Sequence, residues 1–286
     1  MKVSVILPAY NEEDSLKYLI EEIYNVLGRE VEIIVIDDGS FDNTTKVGLE
    51  CGAKVIKNLY NMGNGAAVKR GIREAANNIV VLMDADGQHP PQEIPKLLKD
   101  MESFDMVIGK RSGAYQVWWR KFANRIYNLL ASYVSSTRIE DLTSGFRAVK
   151  KEKAIKFLYL LPNTFSYPST LTLSFIKAAY LVKFVPVQLL PRKRGKSKIN
   201  LFIDGLRFFI IITKISVFFS PLKIFLPVSA FFFLCGLSYY IYTFIIFHRF
   251  TNMSALLFTT SIIIFMLGLI SEQIANLRME KIDNVE

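Results

Sequence analysis

The chain is predicted to fold as an α/β domain, a mostly parallel twisted sheet wrapped by helices, followed by an interfacial helix and an apolar two-helix hairpin. Three observations predict this. Short apolar runs alternate with helix-like segments through the first half, which is the rhythm of βαβ units. Carboxylates recur just past the ends of those runs, where open α/β sheets bind their ligands. The hydrophobic residues, 51% of the 286, are unevenly spread. After Leu201 they gather into stretches that approach or exceed the ~20 residues a helix needs to cross a bilayer.

Taken in order, Val3–Leu7 is the first strand and Pro8-Ala9-Tyr10-Asn11-Glu12 is the loop leaving it. A helix follows from Glu13 to Leu27, closed by Gly28. Val31–Ile36 is a second strand ending in Asp37-Asp38-Gly39-Ser40. Next come a helix, a short strand at Ala53–Lys57, a helix and a strand at Ile79–Met83. The last strand delivers Asp84-Ala85-Asp86, and Gly87 with Pro90-Pro91 turns the chain at once. Val107–Arg111 is a further strand. Val117–Leu130 separates apolar and basic residues onto two helix faces, with Trp118 and Trp119 suited to a bilayer interface. Leu201–Ser220 is apolar but carries Asp204, Arg207 and Lys214, each costly at a bilayer centre, so it is read as a helix lying in the interface. Leu222–Phe247 and a second span from Ser254 to about residue 274 form the hairpin around His248–Asn252. The expected division is a cytosolic domain over 1–200, the interfacial helix over 201–220, and the hairpin with a short tail over 221–286.

Composition narrows the function. A net charge of +9 suits nucleic acid, anionic lipid or phosphorylated substrates. Its densest cluster, Arg192-Lys193-Arg194-Gly195-Lys196-Ser197-Lys198, lies next to the apolar segments, which favours a phosphorylated lipid or lipid headgroups over nucleic acid. Lys214, Lys223, Arg278 and Lys281 flank the hairpin on its outer side, while the turn holds only Arg249. The positive-inside rule then places the α/β part and both termini in the cytoplasm. Met1-Lys2 leads straight into a strand, so no signal peptide is expected. Cys51 and Cys235 offer neither a disulfide framework nor zinc spacing. No Gly-x-Gly-x-x-Gly follows the first strand, and no Gly-Lys-Ser/Thr follows Asn61-Met62-Gly63-Asn64-Gly65, which excludes the dinucleotide fingerprint and the P-loop.

Asp84 and Asp86 share a side-chain direction if the chain stays extended through Ala85. A hard cation such as Mg²⁺ takes one or two carboxylates and completes its shell with water and substrate phosphates. The pair therefore suggests a site for a metal-bound diphosphate, against the plainer reading of a solvated acidic turn. Asp37-Asp38-Gly39-Ser40 has its own plain reading, a turn with Ser40 or Asp42 capping the next helix. His89, beside two prolines, is assigned to packing or capping.

Together, Pro8–Glu12, Asp37–Ser40, Asn61–Gly65 and Asp84–Asp86 resemble, in order and spacing, the motifs of family 2 glycosyltransferases with the GT-A fold. Asp141-Leu142-Thr143-Ser144-Gly145-Phe146-Arg147 and Arg192–Lys198 are similar to motifs of one branch, the dolichol-phosphate mannose synthases and bacterial polyprenyl-phosphate glycosyltransferases. The resemblance implies that Pro8, Tyr10, Glu12, Asp37 and Asp38 line a nucleotide pocket. It implies that Asp84, Asp86 and Gln88 hold Mg²⁺ or Mn²⁺, with Ala85 in the same donor site, and that Arg192 and Lys198 serve the donor diphosphate. Arg111, Arg120 and Asn124 match acceptor-phosphate contacts, although the branch often has Ser where Asn124 stands. Asp141 matches the catalytic aspartate, with Asp86 and Arg111 sharing the chemistry. Pairing of Asp141 with Arg147 or Arg138 is the structural alternative.

The implied activity is inverting, metal-dependent transfer of a hexose from a UDP- or GDP-sugar to a dolichyl or undecaprenyl phosphate at the bilayer. The rivals are another glycolipid acceptor and a non-catalytic scaffold that binds nucleotide sugar. Asn163–Thr172 holds Thr and Ser where many relatives carry an acid, so the sugar's identity does not carry over. In Gln116-Val117-Trp118-Trp119-Arg120 the Trp and Arg stand in the wrong order for a processive polysaccharide synthase. Homo-oligomerisation is left open.

Overall fold

A seven-stranded sheet in the order β3-β2-β1-β4-β6-β5-β7 organises the first part of the chain. The structure is a computed structural model that describes residues 2–112, 118–163, 167–188, 213 and 217–283. It divides into two compact units, an α/β unit carrying the sheet and a helical unit carrying the C-terminal hairpin.

Strands β1 (Val3–Ala9), β2 (Glu32–Asp37), β3 (Lys54–Lys57) and β4 (Ile79–Leu82) pair in parallel. Helices α1 (Glu13–Leu27), α2 (Thr44–Glu50) and α3 (Asn64–Glu74) connect them. The strands read as nearly continuous apolar runs because both sheet faces are covered. Val5, Leu7, Val35 and Val81 face one side, where Leu16, Leu19, Ile20 and Ile23 of α1 complete a buried cluster. Those four helix positions fall at i, i+3, i+4 and i+7, one stripe of an amphipathic helix. On the other side α3 packs so closely that a Cβ on Gly71 would stand 2.4 Å from Ile6.

The second half of the sheet contains one reversal. Beyond β4, a turn of 3₁₀ helix at Pro91–Glu93 leads into α4 (Ile94–Leu98) and β5 (Met106–Ser112). Helix α5 (Trp118–Ser135) then precedes β6 (Arg147–Lys150), which runs antiparallel to both β4 and β5. Helices α6 (Lys151–Ile155) and α7 (Tyr167–Lys177) lead to β7 (Val182–Gln188), parallel to β5. Because β6 is reversed, its N-terminal end lies at the same sheet edge as the C-terminal ends of the other strands. The Asp141–Phe146 loop therefore arrives where Asp84 and Arg111 leave.

The helical unit is built from α8 (Leu222–Phe247) and α9 (Asn252–Asp283). At ~1.5 Å per residue each exceeds the ~30 Å of a bilayer core, and both are long and apolar enough to cross one. Helix α9 begins two residues before, and runs well past, the expected 254–274 span. His248 ends α8 in the left-handed conformation, φ 50°, with its N–H donating to the Phe244 carbonyl at 3.0 Å. The buried positions repeat every seven residues, at Ser229, Gly236 and Thr243 on α8 and at Ser254, Ser261, Gly268 and Ala275 on α9. Small side chains at this spacing let two backbones approach closely along one seam. Ser229 and Ser261 donate to each other's carbonyls, both at 2.9 Å, and a Cβ on Gly268 would meet Phe225 at 2.6 Å. Glu272 accepts the Leu222 N–H at 3.1 Å, placing a carboxylate at the start of α8 where the helix dipole favours it. Since the two hydroxyl oxygens lie 3.1 Å apart, the double variant Ser229→Cys, Ser261→Cys is expected to close a disulfide under mild oxidation. Thiol counting by mass spectrometry should show those two sulfurs lost, while cysteines at the outward positions Leu234 and Ile263 stay reduced.

The expected strands and helices of the α/β unit are present, with ends shifted by a few residues. The proposed interfacial helix over 201–220 lies largely outside the described residues.

Candidate active site

The strand order reverses between β1 and β4, and a cavity of about 320 Å³ opens outside their C-terminal ends. This is the switch point at which parallel sheets take ligands, because connections leave it in opposite directions and part there. Pro8, Tyr10 and Glu12 line it from the β1 loop, Asp38 from β2, Asn61 and Asn64 from the α3 approach, and Asp84, Ala85 and Asp86 from β4. The start of α3 thus borders the cavity with no acidic residue in its first turn, a setting that favours anions.

The loops around the cavity are cross-braced. Ser40 and Thr44 accept the Asn11 and Glu12 N–H groups at 2.9 Å each, and Asp42 accepts the Glu13 N–H at 3.2 Å. The expected capping holds only in part: the N-cap of α2 is Asn43, Ser40 serves the Asn11 N–H instead, and Asp42 accepts the first N–H of α2, that of Thr44 at 3.0 Å, as well as the first of α1. Asp38 is 4% exposed and spends its oxygens on the Asn58 amide and the Met62 and Gly63 N–H groups, at 2.8 to 2.9 Å. It shapes the wall by holding the glycine-rich loop. Gly39, at φ 81°, lies beneath that loop, and a Cβ there would stand 2.7 Å from the Tyr60 carbonyl carbon. Gly39→Ala combines this clash with a strained backbone and is expected to destabilise by about 2 kcal/mol or more, measurable by thermal unfolding in detergent.

Asp37, expected in the pocket, does not line it. It is fully buried, accepting the Ser40 N–H at 2.8 Å and the Thr45 hydroxyl. Its work is the turn itself, because an aspartate at the strand end can accept the N–H three residues on and so satisfy the turn's own donors.

Asp84 and Asp86 flank Ala85, whose carbonyl accepts the Ser15 hydroxyl at 2.8 Å. This fixes the short stretch between the two acids against α1. Asp86 also accepts the Gln88 N–H at 3.1 Å. Gln88 is half-buried and does not line the cavity. Gly145 lies against Asp84, where a Cβ would meet Oδ2 at 3.0 Å, so glycine lets the β6 approach pass over the carboxylate. Among the described residues no cluster of three or more His, Cys, Asp or Glu side chains exists that could enclose a metal. Two hard-oxygen carboxylates on an open cavity still suit a cation that takes most of its ligands from water and phosphate.

A second group gathers at the ends of β5 and β6. Arg111 forks onto Asp141 through Nε to Oδ2 and Nη2 to Oδ1, both 2.7 Å, and its own N–H adds a bond at 3.1 Å. Arg111 also donates to the Thr143 hydroxyl. The Asn128 amide on α5 clamps the chain on both sides of Asp141, donating to the Glu140 carbonyl at 2.7 Å and accepting the Leu142 N–H at 3.1 Å. The expected structural partners of Asp141, Arg147 and Arg138, form no ion pair with it. His89 is buried and stacked on Phe146, with ring centroids 5.0 Å apart and Nδ1 unpaired. Burial pushes its imidazole down to about 4, with the Arg111 guanidinium acting in the same direction. It is neutral near pH 7 and packs on Phe146, a packing role that its neighbouring prolines suggested.

Arg192 and Lys198 lie outside the described residues. Arg120 and Asn124 fall on α5 where side chains are outside the described part. Sequence reasoning missed Ser15, Asn64 and Asn128. Asn64 sat within the glycine-rich motif, whereas Ser15 and Asn128 carried no local signal, since their partners are 70 and 14 residues away.

A seven-stranded sheet with this order, this reversal and this edge cavity defines a class, and comparison with known proteins agrees. The chain belongs to glycosyl transferase family 2, whose model matches residues 4–158. A GtrB C-terminal hairpin model matches residues 220–277, which together with the two apolar helices marks a membrane-anchored chain. It is 37% identical over 215 residues to a dolichol-phosphate mannosyltransferase of Pyrococcus furiosus, covering 70% of this chain and 60% of that one. It is 33% identical over 185 residues to an undecaprenyl-phosphate 4-deoxy-4-formamido-L-arabinose transferase of Proteus mirabilis, covering 58% and 56%. The chain thus spans less than two thirds of these curated relatives. Glucosyl-3-phosphoglycerate synthase of Mycobacterium tuberculosis, solved with Mn²⁺ and UDP-glucose, shares the fold at TM-score 0.57 and 23% identity, over 74% of this chain and 77% of that one. The expected GT-A architecture is the one observed.

Proposed function

We propose that the chain is an inverting glycosyltransferase that moves a hexose from a nucleoside diphosphate sugar to a polyprenyl phosphate at the cytoplasmic face of a membrane. The observation that carries this is the edge cavity. Seven residues singled out from sequence, Pro8, Tyr10, Glu12, Asp38, Asp84, Ala85 and Asp86, line one cavity at the switch point, in a chain that ends in an apolar hairpin.

Tyr10 and Glu12 offer an aromatic face and a carboxylate to a nucleoside, and the start of α3 offers its N–H groups to phosphate. Asp84 and Asp86 would hold Mg²⁺ or Mn²⁺, which when bound steadies negative charge on the departing diphosphate. An acceptor phosphate oxygen attacks the anomeric carbon as the bond to the diphosphate breaks, so no bond to the protein forms. A lipid monophosphate is largely dianionic near neutral pH, its second pKa being about 6, so a strong base is not required. Asp141 already accepts a forked pair from Arg111. Its role is therefore to orient that guanidinium, whose planar donors suit phosphate, with Arg120 and Asn124 as further acceptor contacts and Arg192 and Lys198 on the donor.

The test is a panel of UDP- and GDP-sugars given to the full chain with polyprenyl phosphate, with and without Mg²⁺ or Mn²⁺. A lipid-linked monosaccharide formed only with cation is the expected product. Transfer to a diacylglycerol acceptor alone would overturn the acceptor assignment, and equal rates without metal would overturn the role of Asp84 and Asp86.

A further inference from the structure

Arg147 is the largest fully buried side chain of the described residues, and it opens the central strand β6. It pairs in register with Leu82 of β4 and Ile108 of β5, the strands that deliver Asp84 and Arg111. Its neighbour Phe146 joins the core on one side of the sheet, so Arg147 points to the opposite side, against α7.

Its donors go to neutral acceptors, including the Met106 Sδ at 3.8 Å. Nη1 donates to the Pro168 carbonyl at 2.9 Å and the Thr172 hydroxyl at 3.0 Å, Nη2 to the Ser144 carbonyl, and Nε has no partner. Among the described residues no carboxylate forms an ion pair with it. A buried charge is ordinarily paired, because desolvation is expensive. Burial pushes this guanidinium down to about 10, against the opposing pulls of Tyr167, Asp141 and Asp84, so it stays charged at neutral pH. Helix α7 meets it through the buried Thr172, whose hydroxyl donates onward to the Pro168 carbonyl at 2.8 Å.

The Ser144 carbonyl held by Arg147 precedes Gly145, the residue lying on Asp84. We infer that Arg147 is a positioning residue, a fixed positive charge under the cavity floor that offsets the Asp84 and Asp141 carboxylates and biases the site toward the anionic diphosphate over free cation. This rests on the function proposed above. It gives the buried charge a purpose that hydrogen bonding alone does not, since neutral side chains could brace the same carbonyls.

The sign of the effect separates this from a merely structural role. Removing a positive charge beside a carboxylate strengthens cation binding and weakens anion binding, whereas a distorted site loses both. The full chain in detergent is titrated with Mn²⁺ alone, followed by electron paramagnetic resonance, and with UDP and GDP in EDTA, followed by calorimetry. Arg147→Met is expected to bind Mn²⁺ about 3- to 10-fold tighter and the preferred nucleotide about 5- to 10-fold weaker, while Arg147→Lys stays near wild type. If Arg147→Met does not fold, Thr172→Asp carries the same test, because it sets a carboxylate on Nη1 and neutralises the charge in place. Both ligands weakening together, or neither moving, overturns the inference. Wild-type protein that binds neither Mn²⁺ nor nucleotide overturns the functional reading instead.

Discussion

Asp86→Ala is expected to lower kcat/KM by about 10³-fold or more. Charge stabilisation by a bound cation contributes several kcal/mol, and about 4 kcal/mol corresponds to about three orders of magnitude. Asp86 also accepts the Gln88 N–H at 3.1 Å, so alanine removes a turn bond along with the carboxylate. Asp86→Asn keeps an oxygen for that bond and removes only the charge. Both variants should lose activity to a similar extent, with Asn retaining the wild-type unfolding midpoint. Either one keeping more than a tenth of wild-type turnover would exclude Asp86 from cation binding.

The second large effect belongs to Arg111 and Asp141. Removing one partner of a buried ion pair costs about 3–5 kcal/mol, because the other charge is left uncompensated. Here the Arg111 side chain keeps 23% exposure and that of Asp141 9%, so Asp141→Ala is expected to cost about 2–3 kcal/mol. In a chain of this size that lowers the unfolding midpoint by about 5–10 °C. Activity should fall about 100-fold in Asp141→Asn and in Arg111→Met alike, and no further in the double variant, since each acts through the other. An Asp141→Asn loss that recovers with rising pH while Arg111→Met stays active would make Asp141 a proton acceptor instead.

Much of this architecture was legible because its signals are local. The βα rhythm, Gly28 after α1 and the Asp84–Pro91 turn each follow from neighbouring residues, and each stands where the sequence put it. The seven-residue repeat of Ser229, Gly236 and Thr243 with Ser254, Ser261 and Gly268 was not legible, because uniform apolarity obscures any stripe. What could not be read were partners distant in the chain. The guanidinium facing Asp141 comes from the end of another strand, and only the reversal of β6 brings the two together. Asp37 looked like a ligand residue by its place at a strand end. Its burial depends on how the α2 approach folds back, which no local pattern records.

That reversal also has an evolutionary reading. On the function proposed above, the seam between β4 and β6 would separate a half that lines the donor cavity from a half that carries Arg111 and Asp141 for the acceptor phosphate. Residues between about 105 and 146 could therefore drift with the preferred lipid while the nucleotide half stays under its own selection. Grafting that span from one relative onto another is the direct way to learn whether choice of carrier and choice of sugar are inherited separately.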